Sequence, residues 1–570
     1  MITFSNVSFR YKRSARPVFR GLNLQLAPGR VYGLLGENGT GKSTLLGLMS
    51  GLLRPLQGTV TAHVPGAECP SDRRPEFLRE VFLLPEEFDF PRASLQDYIR
   101  INAPFYPRFS ASQLEQNLSV FGLGMDLRLD ALSMGEKKKV LICFALAAGT
   151  RLLLMDEPTN GLDIPAKQQF RRVMAQAMTE DRTVVISTHQ VHDVAQLLDH
   201  ILILSHSRLA ADDLLVDAPV DAITARYAFE LCPTGTATAG ALYAEPAVQG
   251  QAVVRQRADD EPETDINLEL LFNAVCSGAV SLALPPQVGQ AEPPVDAAPT
   301  ETADGPQPEC IGVTRNLLRY TLFTYRRWAW GVLLLVIAFC CYLFYELGGR
   351  YYPDVPDMYH GHPVTPAEMI GIIRYYMADN IVCVLVPSFF FLGGIFVYAG
   401  MADNRSRTTW LLLPAGNLQK TLVRLACVVG VGVSAILVGV ALSDGIRAAL
   451  SYFMAPVLAK PLYGEFLKSL VNVFSDFEWA FDLFFFAAGM LGSAFFRRWA
   501  WAWILMSFVL FRLAVGVVGS MVMPLFGIDT EPEFHPYFMG FCLLMTPVCF
   551  WLSHRLFCRW QLDSRRFTNL

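Results

Sequence analysis

The sequence predicts two structural parts: an α/β domain built on a parallel sheet, followed by an all-α domain of six membrane-spanning helices. Three observations predict this order. A glycine-rich loop, Gly36–Ser43, lies between an apolar run and a helical stretch. Residues 1 to about 230 alternate short β-rich runs with helical patterns, which is typical of α/β domains. Beyond residue 328, long apolar runs approach the roughly 20 residues that a helix needs to cross a bilayer.

Four apolar runs in the first part predict buried parallel strands, because they are short, continuous and rich in aliphatic side chains. They are Val31–Leu35, Val81–Leu84, Leu152–Met155 and Thr183–Ser187. Helical patterns separate them along the chain. We therefore expect one α/β domain over residues 1–227.

Composition narrows the class of protein. A chain of 570 residues is too long for one ordinary domain. Only 17% of its residues are charged, against about 25% in soluble chains, so much of it is expected in lipid. The formal net charge of −5 argues against a nucleic-acid partner. The 12 cysteines include no C-x-x-C pair, so neither a disulfide framework nor a cysteine metal site is predicted.

Two segments are predicted to join the main parts. Residues 228–284 form a small appended element with a helical pattern at Asp265–Phe272, for which a regulatory role is one interpretation. Residues 285–310 are rich in Pro, Ala and Glu, and this composition predicts a disordered linker. Residues 311–570 then form the predicted six-span domain.

The six candidate spans lie at about 329–347, 380–400, 421–443, 479–496, 499–526 and 537–556. Arginine and lysine concentrate on the segments predicted to face inward, whereas the predicted outer loop 527–536 carries three acids and no Lys or Arg, as the positive-inside rule requires. Buried soluble helices are the alternative, which this alternation of charge disfavours. An even number of spans leaves both termini in the cytoplasm. The N-terminus shows no signal-peptide pattern, and we expect a cell-membrane protein, of bacterial inner-membrane type.

The glycine-rich loop fits the pattern G-x-x-x-x-G-K-[ST], whose backbone N–H groups surround the phosphates of a nucleotide. Lys42 is expected to reach the β- and γ-phosphates, and Ser43 to offer its hydroxyl to Mg²⁺. The helix that follows directs its positive end at the phosphates. The predicted ATP-binding residues of this segment are Gly36, Glu37, Asn38, Gly39, Thr40, Gly41, Lys42, Ser43 and Thr44.

Three further residues follow the ends of predicted strands. Asp156 ends an apolar strand and is suited to hold Mg²⁺, while Glu157 is suited to orient and deprotonate an attacking water. An ordinary acidic strand end is the alternative. His189 follows the next strand, where a polar group can sense the γ-phosphate. The sequence therefore predicts Glu157 and His189 as catalytic residues.

A short segment, Leu132–Glu136 (Leu-Ser-Met-Gly-Glu), precedes the strand that ends in Asp156. Taken with the phosphate loop, the Asp156–Glu157 pair and His189, the order of motifs resembles the ATP-binding cassette (ABC) ATPases. The resemblance covers residues 1 to about 210. It implies that residues 1–227 are an ABC ATP-binding domain, with ATP and Mg²⁺ as cofactors.

The resemblance also implies roles for residues outside the phosphate loop. Two cassettes are expected to close head to tail, so that the signature residues of one cover ATP held by Lys42 of the other. These signature residues are Ser133, Met134, Gly135 and Glu136. Tyr11 is implied to stack on adenine, an ordinary strand residue being the alternative, and Asp163 is the D-loop aspartate.

The chain departs from the family at one position. After the strand Val81–Leu84 the family usually places a glutamine that contacts Mg²⁺, and here the chain has Pro85-Glu86-Glu87. Glu86 aligns best with that glutamine. A carboxylate still suits Mg²⁺ but adds negative charge beside the triphosphate. We therefore predict that Glu86 is a metal ligand that changes the Mg²⁺ dependence of ATP hydrolysis.

A cassette followed by six spans resembles the ABCG-like exporters and their bacterial relatives, which carry an ABC-2 type permease. One cassette with six spans is half a transporter, so a homodimer is predicted, with a paralogous half-transporter as the alternative partner. The substrate is unidentified and includes drugs, lipids, peptides and polymers. An alternative function is a membrane-anchored ABC ATPase that regulates or remodels a membrane partner without moving solute. An importer is disfavoured by the fused order.

Two charged residues fall inside predicted spans. Asp482 lies in the fourth and Arg512 in the fifth, each roughly 15 residues from the predicted turn at Arg497 and Arg498, which gives them similar depth in antiparallel helices. Since intramembrane charges are expensive and usually paired, we predict an Asp482–Arg512 pair. Its role as a helix–helix tie and a role in the translocation path both remain open.

Overall fold

The computed structural model describes residues 2–280, 310–351, 404–454, 462–475, 479–495 and 534–559, together with scattered positions between 358 and 398. Short gaps within the first range fall at 12–16, 65–66, 206–213, 234–239, 249, 259–260 and 263. Two compact units are present. The first comprises residues 1–316 with 407–416, and the second comprises most of the remainder.

A six-stranded sheet forms the centre of the first unit. Its strands are β3 (Val31–Gly36), β5 (Val81–Leu84), β6 (Leu152–Asp156), β7 (Thr183–Thr188), β8 (His200–Leu204) and β9 (Leu214–Pro219). Their order is β5-β6-β7-β3-β8-β9, parallel throughout except for β9, which is antiparallel to β8. The four strands predicted from sequence are therefore confirmed as members of one parallel sheet.

Both faces of this sheet are covered, as a parallel sheet requires. Alternate residues of β3 belong to different hydrophobic clusters: Val31 and Leu35 to one, Tyr32 and Leu34 to the other. The helices of the first unit are α1 (Lys42–Met49), α2 (Pro75–Glu80), α3 (Leu95–Asn102), α4 (Ala111–Val120), α5 (Met134–Ala147), α6 (Ile164–Ala177), α7 (Val220–Arg226) and α8 (Leu268–Cys276).

A smaller antiparallel sheet contributes to the second of these clusters. It consists of β1 (Ile2–Phe9), β2 (Phe19–Leu26) and β4 (Gln57–Ala62) in the order β2-β1-β4. Phe4 and Leu24 of this sheet and Leu45 of α1 are buried in the same cluster. Leu412, from the segment 407–416 of this unit, packs against it as well. The small sheet thus holds the N-terminal strands beside the phosphate-loop helix.

The appended element is a three-stranded antiparallel sheet with one helix. Its strands are β10 (Tyr227–Cys232), β11 (Ala241–Ala247) and β12 (Gly250–Gln256), in the order β10-β12-β11. Helix α8 begins at Leu268, where Asn267 accepts a hydrogen bond from the Leu270 N–H, and not at Asp265 as the sequence pattern suggested. Leu271 and Phe229 join the larger cluster of the first unit, so the element shares its core.

The described part of the second unit is mostly helical. The helices that lie wholly or mostly in it are α9 (Cys310–Tyr351), α11 (Asn417–Met454), α12 (Tyr463–Ser475), α13 (Trp479–Phe495) and α14 (Phe534–Cys558). Between α9 and α11 in the chain is α10 (Asn404–Leu412), most of which belongs to the first unit. The described residues of this unit also include a short antiparallel pairing of β13 (Met358–Tyr359) with β14 (His362–Pro363). Helix α9 bends by 57° between residues 312–325 and 329–342.

Two of the described helices are long and apolar enough to cross a membrane, Asn417–Ala449 and Gly540–Cys558, and the bent pair in α9 makes a third if it counts as one span. The first of these segments contains the predicted third span, the second overlaps the predicted sixth, and the bent pair overlaps the predicted first. Asp482–Phe495 is a shorter apolar helix in the predicted fourth span. The predicted fifth span and the predicted linker 285–310 lie outside the described residues, so six spans remain a prediction.

Asp444 anchors the start of α12 against α11. Its side chain is 2% exposed, and Oδ2 accepts hydrogen bonds from the backbone N–H groups of Leu462 at 2.6 Å and Tyr463 at 3.0 Å. Arg447, one turn further along α11, donates to Oδ1 at 2.8 Å. A buried carboxylate with three donors is thereby stabilised. These contacts join the last turns of α11 to the N-terminal end of α12.

Candidate nucleotide-binding and hydrolytic site

The phosphate loop joins the central strand β3 to α1. Gly39 and Gly41 have φ angles of +89° and +104°, a region that side chains rarely adopt. At Gly41 a Cβ atom would also lie 2.7 Å from Val18 Cγ1. These two glycines allow the loop to turn tightly into the helix. Such a turn directs successive N–H groups toward one point, which suits an anion.

Lys42 is 7% exposed and reaches back across this loop. Its Nζ donates to the carbonyl oxygens of Gly36 at 2.7 Å and Glu37 at 3.2 Å. Burial lowers the pKa of the Lys42 ammonium, and the carboxylates of Glu157, Asp156 and Glu86 oppose that fall. The fold therefore brings four sequence-predicted residues into one charged cluster.

The two acids at the end of β6 have different surroundings. Ser187, on the neighbouring strand β7, donates a short hydrogen bond to Asp156 Oδ1. Glu157 is 5% exposed and has a φ angle of +48°, which is uncommon for a residue other than glycine. Its backbone N–H donates to the carbonyl of Ser187 at 3.0 Å. Because of this left-handed backbone conformation, the chain turns away from the line of β6 at Glu157.

Three groups at the end of β7 lie within hydrogen-bond distance of the carboxylate of Glu157. Thr188 Oγ1 donates to Oε2 at 3.3 Å, and the backbone N–H of His189 donates to Oε1 at 3.1 Å. The imidazole Nδ1 of His189 lies 2.8 Å from the same oxygen. The side chain of His189 is 45% exposed, so its other edge faces outward. This arrangement fixes the carboxylate and leaves the imidazole reachable.

Lys138 is a site residue that the sequence analysis missed. Its side chain is buried in α5, and Nζ donates to the carbonyl oxygens of Glu157 at 2.7 Å and Asn160 at 2.9 Å. Burial lowers its pKa, and the carboxylates of Glu86, Glu157 and Asp156 again oppose the shift. A second buried lysine therefore faces the same three acids. The helix that starts at the signature segment is tied to the turn that carries Glu157.

The signature segment forms the N-terminus of α5. Ser133 is its N-cap, and a capping box joins Ser133 to Glu136: Ser133 N donates to Glu136 Oε2 at 2.9 Å, and Glu136 N donates to Ser133 Oγ at 3.3 Å. Met134 is 60% exposed. The helix end is therefore well ordered and directed outward. Gly135 lies beside the D-loop turn, since a Cβ there would be 3.3 Å from the carbonyl of Gly161.

The remaining predicted residues of the first unit lie around this cluster. Asn160 Nδ2 donates to Glu86 Oε1 at 3.3 Å. Asp163 is the N-cap of α6, where its carboxylate accepts from Ala166 N at 3.0 Å. Tyr11 OH lies 2.9 Å from Thr44 Oγ1. Its ring also makes an edge contact with Phe9, so the ring is held against α1.

One polar contact joins the appended element to the residues after His189. His192 Nε2 lies 2.9 Å from the carboxylate of Glu269 in α8. At the other end of α8, burial raises the pKa of the Cys276 thiol, and the negative charge of Glu37 adds to the rise. One helix of the appended element therefore lies near both the His189 turn and the phosphate loop.

The predicted membrane pair is only half described. Asp482 is 5% exposed in α13, whereas Arg512 lies outside the described residues. The Asp482–Arg512 pair remains a prediction.

Together, the fold and site define a class. A parallel sheet whose central strand runs through a glycine-rich loop into a helix, with an Asp–Glu pair at the end of the strand two places away and a capped signature helix, is a P-loop ATPase of the cassette type. Comparison with known proteins agrees. The ABC transporter family profile matches residues 19–160.

Relatives of known sequence extend this match. The ABC transporter ATP-binding protein NatA of Bacillus subtilis is 31% identical over 214 residues, which are 36% of this chain and 85% of NatA. The fluoroquinolones export ATP-binding protein of Mycobacterium tuberculosis is 27% identical over 231 residues, 40% of this chain and 73% of that protein. A solved ATP-binding subunit of an ABC transporter is 23% identical with a TM-score of 0.34, covering 39% of this chain and 91% of its own.

The chain belongs to the family of ABC transporter ATP-binding proteins. Its cassette binds ATP, and the chain is an ATPase whose hydrolysis is coupled to transport. The family profile lies within the first unit.

Proposed function

We propose that the chain is one half of an ATP-driven exporter, in which two copies close over ATP and move a solute across the membrane. One observation carries the proposal: a single chain combines an ATPase site, with Glu157 held at the end of its strand, and helices long and apolar enough to cross a membrane. Similarity to an export ATP-binding protein supports the direction.

ATP is proposed to bind at the phosphate loop, with its triphosphate against the N–H groups of residues 36–44 and its adenine on Tyr11. Lys42 exchanges the carbonyls of Gly36 and Glu37 for the β- and γ-phosphates. Phosphate oxygens are the stronger acceptors because they are charged. The hydrogen bond between Tyr11 and Thr44 supports an adenine position beside α1.

Glu157 is the proposed general base. Its carboxylate is fixed by Thr188 and by the N–H of His189, so one oxygen keeps a constant direction toward an attacking water. The imidazole Nδ1 of His189 lies 2.8 Å from Oε1, and the side chain is 45% exposed. We assign His189 to orienting Glu157 and contacting the γ-phosphate.

Mg²⁺ is proposed to bind to Ser43, Asp156 and Glu86, whose oxygen donors are those that Mg²⁺ prefers. Asp156 and Glu86 both act on Lys42, which supports their closeness. When bound, Mg²⁺ neutralises charge on the phosphate oxygens. In a titration of ATPase rate against free Mg²⁺, we expect Glu86→Gln to shift the half-saturating concentration. An unchanged curve removes Glu86 from the metal site.

A second copy is proposed to complete the site. Ser133 and Gly135 would cover ATP bound to the other copy, with Asp163 at the same interface. The exposed Met134 at the N-terminus of α5 supports an outward-facing signature. A positive helix end also suits the γ-phosphate of a partner's nucleotide. A homodimer is the simplest assembly, and a paralogous half is the other.

Two segments are proposed to transmit or modulate the nucleotide state. Leu412 packs against the small-sheet cluster, which supports residues 407–416 as a docking segment for the membrane domain. The appended element, predicted as 228–284, is proposed to be regulatory because α8 contacts His192 and lies near Glu37. Residues 311–570 are proposed to be a six-span ABC-2 type permease in a cell membrane, with the cassette and both termini cytoplasmic.

The full-length protein purified in detergent tests this proposal. Its mass gives the assembly, and reconstituted vesicles give the ATPase rate of wild type and Glu157→Gln. We expect a dimer whose hydrolysis falls by roughly a hundredfold in the variant. Near-normal turnover of Glu157→Gln refutes the base assignment. ATPase activity without flux of any solute favours the membrane-anchored regulator, and a monomer indicates a missing partner subunit.

A further inference from the structure

The second unit contains a cavity of about 580 Å³ between α9, α11 and a short stretch around Val397. Ligand pockets have volumes of roughly 300–1,000 Å³. The cavity is therefore large enough for a small molecule. Its lining is almost entirely apolar, and its few polar groups lie together at one end.

Thr321, Tyr325 and Arg424 form the polar end of the cavity. Thr321 and Tyr325 are one turn apart on the first part of α9, before the bend. Arg424 is 4% exposed, lies over the Tyr325 ring at 5.1 Å, and donates a short hydrogen bond to Tyr325 OH. Its other amino group donates to the Val397 carbonyl at 3.1 Å. These contacts hold the guanidinium at the edge of the apolar space.

The rest of the cavity follows α9 beyond its bend. Lining residues run from Ala329 to Phe339, a rise of about 15 Å along the helix. Their side chains are aliphatic or aromatic, and Ile436 of α11 faces them. Leu335, which also lines the cavity, is 66% exposed, so the space opens at the side of the unit. A molecule dissolved in the bilayer can enter there.

We propose that this cavity binds an amphipathic anion with a single aliphatic chain, its anionic oxygens at Arg424 and Tyr325 and its chain along α9 toward Phe339. The inference deepens the proposed exporter function by naming a ligand class for the membrane domain. It does not require that the bound molecule be the transported one.

The shape and chemistry of the lining select this class. The long apolar part suits a chain of methylene groups, whose burial is favourable. The guanidinium presents N–H donors in a planar fork that matches carboxylate and phosphate groups. In an apolar surrounding this electrostatic attraction is stronger than in water. A carboxylate and a phosphate monoester share this chemistry, so a free fatty acid and a lysophospholipid are its two sources.

Equilibrium binding of tritiated palmitate to the full-length protein tests the proposal, with the protein in phosphatidylcholine nanodiscs and without ATP. We expect saturable binding at one site per chain. Unlabelled palmitate and lysophosphatidic acid should both compete with the tritiated palmitate. The competitor that binds more tightly identifies whether a fatty acid or a lysophospholipid is the ligand. Hexadecanol, which has the same chain and no charge, should compete at least tenfold more weakly, since one lost charged contact costs that factor or more. Equal competition by hexadecanol refutes the role of Arg424.

Adjacent positions on α11 provide a matched pair of variants. Val428 lines the cavity, whereas Val429 is 37% exposed and does not line it. We expect Val428→Phe to fill the space and weaken palmitate binding about tenfold, and Val429→Phe to leave it unchanged. Equal affinities of the two variants refute the location. Arg424→Gln should weaken palmitate but not hexadecanol, and Arg424→Lys should restore part of the difference.

Two readouts separate this proposal from the exporter assignment. Palmitate binding is measured without nucleotide, and ATPase activity is measured on the same preparations. Normal ATPase activity that Glu157→Gln abolishes, combined with no saturable palmitate binding, refutes the cavity proposal alone. Palmitate binding with the expected competition order, combined with full turnover in Glu157→Gln, refutes the catalytic assignment alone. The wild-type competition series does not depend on the folding of any variant.

Discussion

Replacing Lys138 with methionine keeps most of the side-chain volume and removes the ammonium. Two carbonyl oxygens, the buried one of Glu157 and the partly buried one of Asn160, then lose their donor. Hydrogen bonds to charged groups contribute roughly 1.5–3 kcal/mol each. Removing the ammonium also removes the free-energy cost of burying its charge. We therefore expect a net loss of stability near the lower bound for two hydrogen bonds, about 3 kcal/mol. The pKa of Lys138, lowered by burial, reflects that penalty.

For a domain of this size, about 3 kcal/mol corresponds to a fall in melting temperature of about 6–12 °C. The turn that carries Glu157 is also expected to move, and a shift of the base lowers the rate by tenfold or more, up to about a hundredfold. Scanning calorimetry and ATPase assays on the full-length protein measure both effects.

Lys137→Met is the matched control for this experiment. Lys137 pairs with Asp89 at 3.0 Å, and the carboxylate side of this pair is open to solvent, since the Lys137 side chain is 19% exposed and that of Asp89 is 64% exposed. An exposed pair contributes about 0–1 kcal/mol, so we expect little change. If Lys138→Met melts within 2 °C of Lys137→Met and hydrolyses ATP at the wild-type rate, the reasoning about Lys138 is wrong.

Two other predictions concern helix ends. Hydrogen bonds from the side chain and backbone of Ser133 lower the pKa of Glu136, so the capping box is complete at neutral pH and its contribution is lost as pH falls through that lowered pKa. The melting-temperature difference between wild type and Glu136→Gln should therefore shrink in acid, and a difference independent of pH contradicts this. Asp444→Ala removes the acceptor at the start of α12 and should cost about 3 kcal/mol. Glu465→Ala, which breaks an exposed pair with Lys468, is the control and should cost under about 1 kcal/mol; equal losses in calorimetry contradict the assigned role of Asp444.

The cassette fold was predictable because its signals are local. Each parallel strand is a short apolar run, and the phosphate loop is a fixed pattern of glycines, so Val81–Leu84 and Leu152–Met155 could be assigned without tertiary information. The closeness of Glu86, Asp156 and Glu157 follows from strand order, because carboxyl ends of neighbouring parallel strands meet at one edge.

Lys138 shows where local reasoning stops. It is the middle residue of Lys137-Lys138-Lys139, and a run of charges usually indicates a solvated face. One signal did exist: Leu141, Ile142 and Ala145 follow it at helical spacing, so Lys138 shares their buried stripe. The partners of its ammonium are carbonyls about twenty residues away, and no side-chain pattern encodes a carbonyl acceptor.

The second unit was predictable in composition more than in geometry. Hydropathy indicates which segments are apolar enough to cross a membrane, and Asn417–Ala449 and Gly540–Cys558 overlap two of the predicted spans. The bend in α9 lies among aromatic and basic residues, with no proline or glycine at the break. Since those two residues are the usual sequence signals of a kink, the bend could not be predicted from the sequence. The contact of Asp444 in α11 with Leu462, just before α12, joins two separate helices. No hydrophobic periodicity in the sequence indicates such a contact.

The left-handed conformation of Glu157 has a consequence for how this chain can change over generations. At φ +48° a glutamate is strained by about 1–3 kcal/mol, whereas asparagine or glycine accepts such angles readily. With Glu157 in its proposed role as general base, selection for heat tolerance alone would therefore favour replacements that relax the backbone and abolish hydrolysis. Directed evolution for thermostability, without selection for ATP turnover, should accumulate substitutions at Glu157 that give inactive proteins. Keeping glutamate there requires continuous selection for ATP turnover.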